Sequence, residues 1–502
     1  MTGGVLRNSY EFVVIGGGPS GKRAAIQAAK AGRSVLLVDK RTSIGGVCLH
    51  TGTIPSKTIR ETILNLSGWR EREFYGHGYK AKKNISAKDI QKRLRLTIDH
   101  EVDVLNDQFS RNNVDCVSAF AKFTGKNTLS VTMQNGSSET ICFDKALIAV
   151  GTRPYRPDNI PFNGKNILDS DDILEITTLP ESMIIIGAGV IGVEYASMFN
   201  SLGISVTLVE PREKILGFLD DGIVETFLQN LRDRGMVIKT GCEISKINKV
   251  GKRCHLTLGD GQRVEADTIL FTGGRAGATD NLGLEACGLS AAARGLISVD
   301  PETYQTAVPH IYAAGDIIGF PSLASTSMAQ GRIVACHAFN IEMSSPPKYF
   351  PYGIYSVPEI STIGLTENDV KAAGLSYECG IAQLRETSRG QIMGVQSGLM
   401  KMIFCRDTMR LLGVHIIGEG ATELIHIGQA VLNLGGKLDF FIDNIFNYPT
   451  LAEAYKVAAL DAWNKMQASS HCAVTDAMPL LHKDTSPPLA NLNPDATTAR
   501  KA

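Results

Sequence analysis

Residues 11–39 read EFVVIGGGPSGKRAAIQAAKAGRSVLLVD, and this stretch decides the fold. A short β-branched run leads into Gly16-x-Gly18-x-x-Gly21, and a helix of small residues then leads to a second apolar strand that ends on Asp39. Glycines at this spacing allow a tight turn and a close approach of the backbone to a pyrophosphate, which the helix N-terminus binds. The Asp39 carboxylate stands where such folds bond a ribose hydroxyl. The stretch therefore predicts a first dinucleotide site.

Residues 183–210, MIIIGAGVIGVEYASMFNSLGISVTLVE, repeat the same plan of strand, glycine turn, helix and strand. Glu210 takes the position of the acid, which favours the free 2′-hydroxyl of NAD and repels the 2′-phosphate of NADP. Arg212 stands two residues later and can attract that phosphate, so the two residues act in opposite directions. NAD use is therefore predicted more firmly than NADP use. The candidate NAD(P)-binding residues are Gly187, Gly189, Val190, Ile191, Gly192, Glu194, Glu210, Arg212 and Gly274.

Length and composition indicate a globular protein of about three domains. The chain has 502 residues, of which 43% are hydrophobic and 20% are charged. Its 51 basic residues balance its 51 acidic residues, so we expect neither a nucleic-acid partner nor a membrane surface. A run of about 20 apolar residues, which a membrane-spanning helix needs, is not found.

The 10 cysteines stand singly and form no CxxC pair. This pattern argues against a structural zinc site and against the disulfide framework of a secreted domain, and we expect no metal. The N-terminal residues MTGGVLRNSYEFVV run into a strand without the basic and apolar regions of a signal peptide. A cytoplasmic location is therefore expected.

Residues 44–61, IGGVCLHTGTIPSKTIRE, carry the most specific motif. The chain resembles the FAD-containing pyridine nucleotide–disulfide oxidoreductases, which carry GG-x-C-x-x-x-x-C-x-P-x-K at this place. The resemblance extends from about residue 10 to 465. The matching positions are Gly45, Gly46, Cys48, Pro55 and Lys57, together with GTRP at 151–154, YAAGD at 312–316 and YPTLAEAY at 448–455.

The resemblance implies an α/β fold with two doubly wound, Rossmann-like dinucleotide-binding domains and a C-terminal α+β dimerisation domain. It implies an FAD-binding domain made of residues 1–150 and 280–345 and an NAD(P)-binding domain at 151–279. The dimerisation domain is expected at 346–466, so a homodimer or higher homo-oligomer is expected. Residues 467–502 are rich in Ser, Pro, Asn and Ala, and this composition predicts a disordered tail.

The same resemblance implies one FAD in each subunit. Asp316 is expected to bond the ribityl chain, and the candidate catalytic pair is Lys57, beside the flavin N5, with Glu194. The FAD-binding residues expected on this basis are Gly16, Gly18, Gly21, Asp39, Lys40, Gly45, Gly46, Cys48, Lys57, Ala121, Gly151, Thr152, Asp316, Leu323 and Ala324.

Two positions depart from the pattern of the family, and both belong to its thiol chemistry. The second cysteine is replaced by Thr53, and Cys48 alone cannot form an internal disulfide because exchange needs two sulfurs within bonding reach. The histidine that carries the proton of the thiol is replaced by Tyr448, five residues before Glu453, and a tyrosine with a pKa near 10 is a poor proton carrier at neutral pH. Cys48 is either a small buried residue or a thiolate whose pKa Lys57 lowers.

Within the family, these replacements resemble the pyridine nucleotide transhydrogenases, which pass hydride from NADPH to FAD and then to NAD⁺. A flavin-only NAD(P)H reductase with a quinone or dye acceptor would need the same residues. Thr53 and Tyr448 argue against a dihydrolipoamide dehydrogenase, whose reaction needs both thiols. The two complete fingerprints argue against a non-catalytic redox sensor.

Two further elements are predicted from the pattern of apolar residues. Residues 85–110 are expected to form a long helix, and residues 296–319 a strand, a turn and a second strand.

Overall fold

The computed structural model describes residues 6–76, 78–343 and 348–472. It has a mixed α/β architecture of two doubly wound units and a C-terminal unit. The strands are β1 (Ser9–Ile15), β2 (Val35–Asp39), β3 (Asp115–Gly125), β4 (Thr128–Met133), β5 (Ser138–Ile148), β6 (Thr152–Pro154), β7 (Ile167–Leu168), β8 (Ser182–Ile186), β9 (Ser205–Glu210), β10 (Val237–Thr240), β11 (Ile244–Val250), β12 (Arg253–Leu258), β13 (Arg263–Ala266), β14 (Thr268–Phe271), β15 (Arg275–Gly277), β16 (Ile311–Ala313), β17 (Tyr352–Ile354), β18 (Ile360–Gly364), β19 (Tyr377–Gln383), β20 (Leu399–Cys405) and β21 (Leu411–Ile417). The helices are α1 (Pro19–Lys30), α2 (Gly46–His50), α3 (Thr53–Ser67), α4 (Arg72–Tyr75), α5 (Ala87–Arg111), α6 (Val190–Ser201), α7 (Asp221–Asp233), α8 (Ala324–Ala338), α9 (Glu367–Ala372), α10 (Ser388–Ile392), α11 (Ala421–Asn433), α12 (Leu438–Asp443) and α13 (Glu453–Cys472).

The first sheet combines strands from two distant parts of the chain. Strand β1 pairs in parallel with β2 and β5, and β16 pairs in parallel with the other edge of β5. Ile15, Ile148 and Ala313 end these strands in register. The loops that follow β1, β5 and β16 therefore leave the sheet side by side, at the edge where ligands bind in open α/β sheets.

The second sheet has the order β10-β9-β8-β14-β7, and all its pairs are parallel. Helix α6 follows β8 and is almost entirely buried, which explains its continuous apolar sequence. Strands β6 and β15 pair antiparallel where the chain passes between the two units.

The C-terminal unit is an antiparallel sheet with the order β17-β18-β21-β20-β19. Helix α13 packs so closely on β19 that a methyl group at Gly380 would lie 1.8 Å from the carbonyl oxygen of Ala458. Tyr455, on the same helix, is fully buried and donates a hydrogen bond to the carbonyl oxygen of Leu424 at 2.8 Å.

Three predictions about secondary structure have different outcomes. The long helix is confirmed as α5, which begins after the N-cap Ser86 in a capping box with Asp89. The strand predicted at the start of 296–319 is wrong: no strand partner lies beside Ile297, whose N–H donates instead to the carbonyl oxygen of Ile317 at 3.0 Å. The tail was predicted to begin too early, because α13 continues to Cys472; residues 473–502 lie outside the described residues.

A buried ion cluster joins the second unit to the C-terminal unit. Lys401 on β20 donates to the two carboxylate oxygens of Asp220 at 3.0 and 2.9 Å, and to Oε2 of Glu367 at 2.5 Å. Asp220 is the N-cap of α7 and accepts from the N–H of Gly222 at 3.1 Å. The side chains of Lys401 and Asp220 are only 9% and 1% exposed, so each charge depends on the other for its solvation.

Glu367→Gln is expected to destabilise the protein at neutral pH and to have little effect in acid. Hydrogen bonds from Lys371 and then Lys401 lower the pKa of Glu367 from 4.5 to about 2. The stability from its carboxylate is therefore complete above about pH 4.5 and is lost as the pH falls toward 2. Melting temperatures of both proteins, measured from neutral pH to about pH 2, should draw steadily closer as the pH falls below about 4.5. A constant difference would mean that the charge of Glu367 does not stabilise the fold.

None of the helices in the described part of the chain is long and apolar enough to cross a membrane.

Candidate functional site

A cavity of about 630 Å³ opens at the carboxyl ends of β1 and β5. Its size is within the range typical of cofactor pockets. The predicted FAD-binding residues that line it are Gly16, Gly18, Asp39, Lys40, Gly46, Cys48, Ala121, Gly151, Thr152, Asp316 and Ala324. Gly21, Gly45, Lys57 and Leu323 are not among its lining residues.

The glycines of the first fingerprint leave a cradle that larger residues would fill. A methyl group at Gly21 would lie 1.9 Å from the carbonyl oxygen of Gly16, so this glycine allows α1 to pack on the turn. A methyl group at Gly46 would lie 2.7 Å from Cα of Gly18. The N-terminus of α1 faces this space without a side-chain cap. The site therefore fits a pyrophosphate group, which accepts hydrogen bonds from free helix N–H groups.

Asp39 is held in one orientation at the wall of the cavity. Its Oδ2 accepts from the N–H of Gly17 at 2.7 Å and its Oδ1 from the N–H of Arg41 at 2.9 Å. A carboxylate has about four acceptor positions, so two remain for hydroxyl groups of a ligand.

Two residues of the cavity lining, Thr152 and Asp171, contact a charged group that the sequence did not indicate. Arg275 donates to the hydroxyl and carbonyl oxygens of Thr152 at 2.8 and 3.0 Å, and lies 3.5 Å from Oδ1 of Asp171. Thr152 in turn donates to Asp316 at 3.4 Å. Burial raises the pKa of both Asp171 and Asp316 above the usual value. Arg275 thus ties the strand pair β6–β15 to the cavity.

Cys48 lies in the cavity wall beside Thr53. Burial raises the pKa of the Cys48 thiol above its ordinary 9.0, and the hydrogen bond with the Thr53 side chain offsets this only in part. Burial thus opposes the thiolate alternative, and the charge of Lys57 lowers the pKa of the thiol by less than burial raises it. Cys48 is one of the free cysteines of the described residues.

Thr53→Cys is expected to form a disulfide with Cys48, because the two side chains already share a hydrogen bond. Thiol titration of the unfolded variant should find two fewer free thiols before reduction than after it. Thr53→Ser is the matched control and should give equal counts. Equal counts in Thr53→Cys would mean that the two side chains do not reach bonding geometry.

Lys57 lies one helical turn after Thr53 on α3, so both side chains share a face. Its Nζ donates to Oε1 and Oε2 of Glu194 at 2.9 and 2.8 Å, which forms the pair expected from the sequence. Tyr355 completes the arrangement: its N–H donates to Glu194 at 2.9 Å, and its ring centroid lies 4.8 Å from Nζ. The pair joins α3, whose first residue Thr53 lines the cavity, to α6, the helix of the second fingerprint.

The second fingerprint has the same local geometry as the first. A methyl group at Gly192 would lie 1.8 Å from the carbonyl oxygen of Gly187, whereas no atom lies within 4 Å of the corresponding position at Gly189. Val190 and Ile191 form the first turn of α6. The open space before this helix can accommodate a second pyrophosphate. Gly274, with a φ of +111°, accepts a hydrogen bond from the N–H of Tyr155 at 3.0 Å.

Glu210 and Arg212, which the sequence set in opposition, are paired. The Glu210 carboxylate accepts from Nε and Nη2 of Arg212 at 2.8 and 3.0 Å. Hydrogen bonds from Arg212 and from the N–H of Ala188 outweigh burial and lower the pKa of Glu210. The acid is therefore ionised, and its charge is balanced.

Tyr448 and Glu453 do not form a proton relay within the chain. Tyr448 is 71% exposed and its hydroxyl shares a 2.6 Å hydrogen bond with Ser388. Oε2 of Glu453 is buried and has no hydrogen-bond partner among the described residues. Among the described residues, no group of three or more His, Cys, Asp or Glu side chains is arranged to hold a metal ion.

Sequence reasoning missed Tyr355, Arg275 and Asp171. Tyr355 acts through its backbone N–H, which any residue carries, and Glu194 is 161 positions away. Arg275 directly follows the predicted Gly274, and this proximity was the one indication available.

Two family models match this chain. The model described as pyridine nucleotide-disulphide oxidoreductase matches residues 10–331, and the dimerisation domain of the same family matches residues 350–459. The chain belongs to the pyridine nucleotide-disulphide oxidoreductase family. The membership expected from the motif around Cys48 is thereby confirmed.

Named relatives of this pyridine nucleotide-disulphide oxidoreductase match nearly all of its length. The soluble pyridine nucleotide transhydrogenase of Mycobacterium tuberculosis (strain ATCC 25177 / H37Ra) is 46% identical over 460 residues, which are 91% of this chain and 98% of that protein. The soluble pyridine nucleotide transhydrogenase of Pseudomonas aeruginosa (strain LESB58) is 40% identical over 461 residues, 91% of this chain and 99% of that protein. Among solved structures, the HOCl-induced flavoprotein disulfide reductase RclA of Escherichia coli gives a TM-score of 0.81 at 25% identity, with 90% of this chain and 99% of that chain covered.

Proposed function

We propose that the chain is an FAD-dependent NAD(P)⁺ transhydrogenase that moves a hydride between NADPH and NAD⁺. One observation carries the proposal: the cavity, the second fingerprint and the Lys57–Glu194 pair are complete, whereas Thr53 and Tyr448 stand where disulfide-using relatives need a thiol and a proton carrier. The 46% identity to a named transhydrogenase supports the same activity.

FAD, when bound, supplies a ring that takes a hydride from one nicotinamide and passes it to another. The first fingerprint and the N-terminus of α1 would hold its pyrophosphate, and the free acceptor positions of Asp39 its ribose. Asp316 and Thr152 would bond its hydroxyl-bearing chain. Burial raises the pKa of Asp316 above its ordinary value, while the charge of Arg275 and the hydrogen bond from Thr152 lower it.

Lys57 would place a fixed positive charge where the two nucleotide sites meet. The Lys57 side chain is 25% exposed, while the side chain of Glu194, which holds its ammonium group, is 5% exposed. A charge held by a bidentate hydrogen bond does not need to reorganise during the reaction, and such preorganised groups are the largest contributors to catalysis in many enzymes. Glu194 and the N–H of Tyr355 act as positioning groups for that charge.

The proposal extends to the organisation of the subunit. We assign FAD to residues 1–150 and 280–345, NAD(P) to residues 151–279 and subunit contacts to residues 346–466, in a cytoplasmic homodimer. The match of the family's dimerisation domain to residues 350–459 supports the homodimer. The cysteines support a reducing compartment, because the nine from Cys48 to Cys405 are free.

Reduction of thio-NAD⁺ by NADPH tests the proposed reaction, since the thionicotinamide product absorbs at its own wavelength. The purified holoenzyme should catalyse this reaction and should not reduce NAD⁺ with dihydrolipoamide. Oxidation of NADPH in the presence of a quinone, without reduction of thio-NAD⁺, would make the chain a flavin reductase instead. Turnover of dihydrolipoamide would show that a second thiol takes the role of the missing cysteine.

A further inference from the structure

The Glu210 carboxylate already uses all its acceptor positions. Oε1 accepts from the N–H and the Nε of Arg212 at 3.1 and 2.8 Å, and Oε2 accepts from the N–H of Ala188 and the Nη2 of Arg212 at 2.7 and 3.0 Å. An ionised carboxylate has about four such positions, two on each oxygen. A ribose hydroxyl therefore finds no free acceptor on Glu210 in this arrangement.

The two kinds of donor differ in their freedom to move. Two of the hydrogen bonds come from backbone N–H groups, which hold the Glu210 side chain at 3% exposure. The other two come from a guanidinium group on a side chain that is 70% exposed. Rotation of Arg212 into solvent leaves the buried Glu210 carboxylate with its two backbone donors, so two new donors from a ligand must replace the two hydrogen bonds that are lost. Arg212 is thus the movable partner, and Glu210 is fixed.

The two positions of the Arg212 guanidinium suit the two nucleotides, one each. When the guanidinium moves away, it frees one acceptor on each oxygen of Glu210, and the 2′- and 3′-hydroxyls of an NAD ribose bring two donors. When the guanidinium stays, it cancels the negative charge of the carboxylate and keeps three N–H groups that Glu210 does not use. A 2′-phosphate then meets a positive donor instead of a bare carboxylate.

We infer that the Arg212 guanidinium is a nucleotide-selecting gate, which lies on Glu210 when NADP(H) is bound and turns away when NAD(H) is bound. One fixed site would in this way accept both nucleotides. The inference rests on the proposed transhydrogenase function, because only an enzyme that uses both nucleotides needs such a gate.

Binding of two unreactive ligands tests the gate in the FAD-loaded enzyme. Adenosine 2′,5′-bisphosphate and 5′-AMP differ only in the 2′-phosphate, and calorimetry gives both dissociation constants. Arg212→Ala should weaken the bisphosphate by roughly 10- to 100-fold, the effect of a lost charge-assisted hydrogen bond, and should leave 5′-AMP unchanged or tighter. Arg212→Lys should fall between, since lysine keeps the charge but not the fork of donors.

Lys214→Ala provides the matched control. Lys214 is 71% exposed and two residues away, and its Nζ lies 3.5 Å from Asp221 rather than near Glu210. This variant loses the same charge and should change the affinity for both ligands by the same small factor. The gate is refuted if Lys214→Ala discriminates between the two ligands as strongly as Arg212→Ala does. It is also refuted if Arg212→Ala weakens the binding of both ligands equally.

The outcome is independent of hydride transfer. The proposed function is refuted, and the gate kept, if the wild-type enzyme fails to reduce thio-NAD⁺ while Arg212→Ala loses affinity for the bisphosphate alone. An active transhydrogenase whose ratio of the two dissociation constants is unchanged in Arg212→Ala would keep the function and refute the gate.

Discussion

Lys401→Met is expected to lower the free energy of unfolding by about 3–5 kcal/mol, the usual cost of removing one partner of a buried ion pair. The substitution leaves Asp220, whose side chain is 1% exposed, with a charge that neither water nor a cation can solvate. It also removes the bond that fixes the N-cap of α7 against β20. Urea unfolding can be followed by fluorescence because Trp69 and Trp463, the two tryptophans, pack against the second and C-terminal units.

Lys371→Met is the matched control, because Lys371 pairs with the same Glu367 at 2.8 Å but is 58% exposed. Its cost should be about 0.3–0.5 kcal/mol, as for other exposed pairs one helical turn apart. Asp220→Asn added to Lys401→Met should restore part of the loss, since no bare charge is then buried. If Lys401→Met unfolds at the same urea concentration as Lys371→Met, burial does not strengthen the cluster.

The elements that sequence predicts well here are those with a local cause. The turn at Gly16 and the turn at Gly187 both have positive φ, and each third glycine packs against the carbonyl oxygen of the first. The spacing of the glycines follows from these contacts, so it can be read without a structure. Helix α5 likewise carries its own N-terminal signal in Ser86 and Asp89.

The elements that sequence misses depend on distant partners. Residues 296–299 have the apolar pattern of a strand, yet no strand edge is available beside them and they stay irregular. Lys401 meets Asp220 across 181 positions, and Arg275 meets Thr152 across 123. Such pairs depend on how the units pack, which the local pattern does not encode.

The Glu210–Arg212 pair shows a different kind of limit. The sequence indicated both residues as candidates but treated them as rivals for one ligand, whereas the structure pairs them. Their separation of two residues at the end of β9 lets the Arg212 side chain fold back on the carboxylate. A motif therefore gives the members of a site, whereas their hydrogen bonds decide how the members act together.

Lys57→Met is expected to reduce kcat for NADPH-driven reduction of thio-NAD⁺ by about 100- to 1,000-fold, the effect of removing one preorganised electrostatic group. Lys57 donates to both oxygens of the buried Glu194 and so joins α3 to the helix of the second fingerprint. The KM values for both nucleotides should change little, because the glycine turns and Glu210 remain intact. Steady-state kinetics with each nucleotide varied in turn separates the two effects.

Two further variants distinguish an electrostatic role of Lys57 from a structural one. Lys57→Arg keeps the positive charge and should recover much of the lost kcat, whereas Glu194→Gln keeps an oxygen for the N–H of Tyr355 and should cost less than Lys57→Met. FAD content, read from the absorbance of each purified protein, must stay at the wild-type level for the comparison to hold. If Lys57→Met retains its FAD and its kcat lies within about threefold of wild type, the charge of Lys57 does not assist hydride transfer.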